Sequence, residues 1–152
     1  MSKVPPTGPP TVAPVTRHID QQRVVRYAAA ARDPNPIHTD PEVAAGTEFG
    51  RPIAHGMLLL ALVSEAMSAT FGERWAAGGR LKVRWRAPAI QPVTVTASAT
   101  LRSAPDGGPP EAGDGVVTYD VRCEDEAGVL LMSGIASLSP EPGSATGAPS
   151  SQ

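Results

Sequence analysis

The sequence predicts an α+β fold in which an antiparallel sheet wraps its apolar face round one long buried helix, and three features predict it. The longest apolar segment, His55 to Phe71, has apolar residues all round a helix from Met57 to Val63, which implies burial on nearly every side. Beyond Gly72 the period changes: Arg80 to Arg86 alternates charged and apolar side chains, the signature of a half-buried strand. Three more strand-like segments, Val93 to Leu101, Val116 to Cys123 and Val129 to Leu138, are separated by Gly, Pro and Asp clusters. Such short connections favour antiparallel neighbours.

A first strand is expected over Val15 to Ile19, and Asp20 is a suitable N-cap for a helix QQRVVRYAAAA with Val24, Tyr27, Ala28 and Ala31 in one apolar stripe. That helix stops near Ala31. Asp33-Pro34-Asn35-Pro36 has two prolines in three residues, which restrict themselves and the residues before them, so a stiff non-helical loop is expected. A helical turn PEVAAG, a second loop GTEFGRPIA and the central helix follow. In the strand after it, Trp85 falls on the apolar face with Leu81 and Val83. An open sheet also leaves unpaired edge strands, and dimerisation is one way to cover them.

A chain of 152 residues fits one domain. Its ends are rich in Pro, Gly and Ser and poor in large apolar groups, so residues 1–12 and 140–152 are expected to be disordered tails flanking a domain over residues 13–139. With 13 Lys+Arg against 15 Asp+Glu, charge makes no case for nucleic acid or an anionic membrane as partner. The run from Met57 to Val63 is far shorter than the roughly 20 residues of a bilayer span, and MSKVPPTGPP lacks the apolar stretch of a signal peptide. A cytoplasmic location is expected. The single Cys123 cannot form an intrachain disulfide and reads as a buried, inert thiol on a strand.

The chemistry concentrates where Asp33, Asn35 and His38 share the proline-stiffened loop just ahead of a helix that begins with His55-Gly56. Histidine exchanges a proton near neutral pH, and a carboxylate nearby can hold a water molecule jointly with it, giving one acid and one base over a small site. The start of the apolar helix offers unpaired N–H groups and a partial positive charge to an oxyanion. Gly56 permits close approach of a substrate. Asx residues beside proline commonly hydrogen-bond their own backbone, so Asn35 and Asp40 are read as holding the loop. His55 is read as bonding a neighbouring carbonyl and positioning Gly56.

At these residues the sequence resembles a known family. Asp33-Pro-Asn35-Pro36-Ile-His38-Thr-Asp40-Pro41, followed by Gly50-Arg-Pro52-Ile53-Ala54-His55-Gly56-Met57, resembles the motif of MaoC-like (R)-enoyl-thioester hydratases and dehydratases. The resemblance implies a hot-dog fold, a dimeric working unit, an acyl thioester of coenzyme A or of a carrier protein as substrate, and no metal or redox cofactor. It places the catalytic pair on Asp33 and His38 and the thioester-polarising N–H on Gly56. It also puts Ser64, one to two turns into the central helix, against the substrate, with Asn35 and His55 close by. The sequence departs from the pattern at Ala31-Arg32, where Ser-Gly is frequent, and at Gln91-Pro92-Val93-Thr94, which lacks the usual acid and is read as a changed turn.

Three other readings stand beside this one. The same chemistry run as elimination would make a dehydratase or related lyase acting on a carrier-bound intermediate of polyketide or other secondary metabolism. His38, Asp40 and His55 together supply the donor set of a non-haem iron facial triad. A non-catalytic hot-dog subunit would lack the Asp/His pair, which this chain retains.

Overall fold

The structure, a computed structural model, describes residues 9–102 and 116–139. The elements run β1 (Val15–Ile19), α1 (Gln21–Ala31), α2 (Pro36–Thr39), α3 (Pro41–Ala45), α4 (Gly56–Phe71), α5 (Glu73–Gly78), β2 (Gly79–Trp85), β3 (Val93–Leu101), β4 (Val117–Asp125) and β5 (Leu130–Leu138). The strands form one antiparallel sheet in the order β1-β3-β4-β5-β2, with β1 and β2 at its edges. Helix α4 packs across β1, β3 and β4, the hot-dog arrangement.

Side-chain size lets the helix lie close to the sheet. Leu59, Val63 and Met67 of α4 are buried in one cluster with Val95, Ala97, Val121, Cys123 and Ala136, so small residues stand on central strands. Gly134 faces Val83 across the β2–β5 pair, and a Cβ there would collide with the β2 backbone. The β4–β5 turn is closed by Asp125, whose carboxylate accepts from Ala127 N and Val129 N, with Gly128 at φ 81°.

The expected strands and helices all form, and four details differ. Helix α4 is buried on one side only: Leu58, Leu59, Leu62, Val63, Ala66 and Met67 are covered, whereas Met57 is 52% exposed. The sheet covers one face of a helix, and among the described residues the face with Met57 stays open. Trp85 is 51% exposed, and Leu81 and Val83 are half-buried, because β2 is an edge strand, at the opposite end of the sheet from the β1 and β3 strands on which α4 chiefly packs. A short helix not foreseen, α5, buries Trp75 between α4 and the sheet. Chain order begins before Ala13: Val12 is buried, and Tyr119 donates from its hydroxyl to Pro10 O at 2.7 Å. A single large apolar residue and one hydrogen bond dock that segment. The rest of the expected tails, residues 1–8 and 140–152, lies outside the described residues.

Candidate active site

Asp33 is set by the end of α1. Arg32 N donates to Ala29 O and Asp33 N to Ala28 O, the paired bonds of a Schellman motif. Arg32 stands at its left-handed position, with φ 54°, where glycine is usual. Pro34 then prevents the helix from continuing. The carboxylate therefore emerges at a fixed place, and its Oδ1 accepts from Asn35 N at 3.4 Å.

His38 sits on α2 instead of in an irregular loop. Asn35 caps that turn, its side chain accepting from Ile37 N, and Pro36 at the first helical position needs no donor. The His38 ring is oriented from far along the chain: its Nδ1 lies 2.8 Å from Ile53 O. A carbonyl only accepts, so Nδ1 carries the proton and Nε2 keeps the lone pair of the neutral ring.

His55, at the N-cap position of α4, is 2% exposed and stacks on His38 with ring centroids 3.8 Å apart. The Tyr27 ring lies tilted against the His55 ring at a centroid distance of 4.9 Å. Nε2 of His55 is 3.4 Å from Asp33 O and 3.8 Å from Asp33 Oδ2, while Nδ1 has no partner among the described residues. Burial first, and then the neighbouring His38, lower its pKa below the ordinary 6.5, against a smaller raising effect of Asp33. It is neutral near pH 7.

These groups line one cavity of about 290 Å³ with Gly56, Ala31, Tyr27 and Met57. One donor atom from each of Asp33, His38 and His55 lies within 4.8 Å of the others, close enough to share a water molecule or a cation. Gly56 begins α4, and no side chain caps that helix, so the N–H groups of Gly56 and Met57 remain available at the cavity, whereas Leu58 N donates to His55 O. Gly56 also passes against the Trp85 indole, which a Cβ would strike.

Other expected site residues are used elsewhere. Ser64 Oγ accepts from Trp75 Nε1 at 2.9 Å, and the residue is absent from the cavity lining. Eight residues separate it from Gly56, about 12 Å along a helix. Asn35 is exposed and spent on capping. Asp40 caps α3 by accepting from Glu42 N and Val43 N, so the carboxylate that approaches the two histidines is Asp33 and not the Asp40 of the alternative iron-triad reading. Sequence reading missed Tyr27 as a wall of the site and Gln91 as part of its support. Gln91 is 4% exposed, and its Nε2 donates to His38 O and Ile53 O. A glutamine before a proline, at a position marked as a departure from the motif, was the available signal.

Residues 3–121 match the family described as MaoC like domain. The chain belongs to that family. An (R)-specific enoyl-CoA hydratase from Aeromonas caviae is 28% identical over 124 residues, covering 82% of this chain and 88% of that protein. A 3-hydroxyacyl-thioester dehydratase Z of Mycobacterium tuberculosis is 38% identical over 94 residues, covering 59% of this chain and 62% of that one. Among solved structures, the A. caviae (R)-hydratase superposes with a TM-score of 0.67 at 26% identity, over 88% of this chain and 98% of its own. The R-hydratase PhaJ1 from Pseudomonas aeruginosa gives 0.69 at 25% identity, over 94% and 92%. The MaoC-like chain described here is thus an enzyme of the hydratase and dehydratase class, a hydro-lyase.

Proposed function

We propose that this chain adds water to trans-2-enoyl thioesters to give (R)-3-hydroxyacyl thioesters, or runs the reverse elimination, with Asp33 and His38 as its acid-base pair. The observation that carries the reading is the meeting of Asp33, His38 and the uncapped start of α4 in one cavity. A water held between the carboxylate and His38 Nε2 loses a proton to the pair as its oxygen bonds to the β-carbon. A proton passes to the α-carbon from the same face, while the Gly56 N–H steadies the enolate-like oxygen. The two groups face one water molecule, so the giving and taking roles are assigned to them jointly. Net addition of water leaves the overall oxidation level unchanged and calls for no redox cofactor.

The dehydratases among the relatives favour one second reading, elimination on a carrier-bound 3-hydroxyacyl thioester, with the same residues in reverse roles. The half-buried apolar side chains along β2 and the exposed Met57 of α4 support a homodimer. Light scattering should then give about twice 15.7 kDa. A lone buried thiol and the enzyme class fit a cytoplasmic setting.

The test is to incubate the metal-stripped protein with a trans-2-enoyl-CoA in deuterated water. Syn addition is expected, with one deuteron at the α-carbon and an (R)-hydroxyl at the β-carbon. Anti addition or an (S)-hydroxyl would overturn the shared-face mechanism, and dependence on added metal would reassign Asp33, His38 and His55 as ligands. Turnover of a carrier-protein thioester alone would select the second reading.

A further inference from the structure

We propose that Gln91 is a positioning residue that holds His38 in its Nδ1–H tautomer and aims its Nε2 at the cavity. The inference rests on the acid-base reading of His38 but adds a residue outside the cavity lining.

The geometry is that of a clamp. His38 stands on α2, a helix of four residues, which has little stability of its own. Its ring depends on Ile53 O, 2.8 Å from Nδ1. Gln91 Nε2 lies 3.0 Å from that same carbonyl and 3.1 Å from His38 O. One amide group thus fixes both the backbone that carries the imidazole and the acceptor that orients it. The two lone pairs of Ile53 O are shared between the His38 ring and the Gln91 amide.

The orientation of the amide is forced. Both groups in front of it are carbonyls, so the flipped amide would set Oε1 against two acceptors. The chosen orientation leaves Oε1 buried without a partner among the described residues. An apolar side chain filling the same space would avoid that cost. The backbone reinforces the clamp: Gln91 N donates to Pro52 O and Ala54 N to Ala89 O, so segments 89–91 and 52–54 run side by side. Gln21 provides an internal control. Its Nε2 reaches His38 O at 3.3 Å and Thr39 O at 3.0 Å, and no bond joins it to Ile53 O.

The experiment compares the wild type with Gln91→Met, which keeps the volume and removes the amide, and with Gln21→Met, by ¹⁵N-resolved imidazole NMR and by steady-state kinetics. In the wild type, neutral His38 should be in the Nδ1–H form. In Gln91→Met, Ile53 O loses its second donor and the ring its anchor, and signal from the Nε2–H form should appear. There kcat should fall about 10- to 100-fold with KM changed less than about threefold, the scale of a misplaced catalytic group. Gln21→Met should leave the tautomer unchanged.

A wild-type His38 in the Nε2–H form overturns the proposal without any variant, which also covers a Gln91→Met protein that does not fold. So does a Gln91→Met protein with unchanged tautomer and kcat, or a Gln21→Met protein with the same tautomer change. If the tautomer moves as expected while His38→Ala retains full turnover, the clamp stands and the acid-base reading fails.

Discussion

Asp33 and His38 are five positions apart and meet at one cavity, yet they are held by opposite means. Asp33 is placed by its own neighbourhood: two backbone bonds reach back to Ala28 and Ala29, and Pro34 bars further helix. His38 is placed by distant parts of the chain, through Ile53 fifteen residues away and Gln91 fifty-three away. A local anchor is specified by a short string of residue types, whereas a remote one exists only after the sheet and α4 have assembled. One member of the proposed pair is therefore set by its immediate neighbours and the other is completed by the fold.

The largest expected effects remove the chemistry from either side of this comparison. Asp33→Asn and His38→Ala should each lower kcat by about 10²–10⁴ with the fold intact, the usual contribution of a positioned acid or base. The double variant should be little worse than the worse single one, because the two act as a unit. Near-normal turnover in either folded single variant would show that the two arms do not serve one site.

A smaller effect tests the wall they share. In Gly56→Ala the new Cβ runs into the Trp85 indole. Chemical denaturation should report a loss of about 1–3 kcal/mol, the usual cost of overpacking. Trp85→Ala should relieve most of it, since the ring is half exposed and loses little by its removal. An equal loss in both backgrounds would place the strain elsewhere.

His55 joins the two arms and gives stability a pH dependence with a definite sign. It faces the Asp33 carboxylate, the His38 ring and the Tyr27 ring, and burial holds its folded pKa below 6.5. As pH falls through 6.5 the unfolded chain takes up this proton before the folded one does, so this residue makes stability decline until the folded pKa is passed. His55→Gln should flatten that decline in urea midpoints measured below pH 6.5. An unchanged slope would assign the acid sensitivity to other groups.

The smallest effect concerns Arg32, which occupies a left-handed position costing a non-glycine residue about 1–2 kcal/mol. Arg32→Gly should relieve that strain against some added freedom in the unfolded chain. The net gain should be a few tenths to about 1 kcal/mol, measured as a higher Tm. A loss of stability would mean that the arginine side chain contributes more than its backbone costs.

How much was legible follows the same division. Asp20 reads as a cap and is one, accepting from Arg23 N at 2.8 Å. The two prolines mark where α1 ends, although the sequence predicts loop where the turn α2 starts at Pro36. Cys123 reads as inert, and burial pushes its thiol up to about 12. The bond of Ser64 to Trp75 was illegible because Trp75 stands on a short helix whose six residues carry too little periodicity to announce it. The exposed sides of Trp85 and α4 were illegible for another reason: period two or a wholly apolar helix states that a face is to be covered, but not whether the cover comes from the same chain.

By itself the sequence determined the order of the five strands and of α1, α3 and α4, the end of α1 and the position of Asp33 along the chain. These rest on side-chain periodicity, proline geometry and hydrogen bonds spanning at most five residues. Only the tertiary structure decided the hydrogen-bond partner of His38 Nδ1, the burial of His55, the partner of Ser64 and the bonds of Gln91. Each depends on which acceptors, rings and apolar atoms arrive from remote segments, and a buried polar group takes its state from the partners it finds.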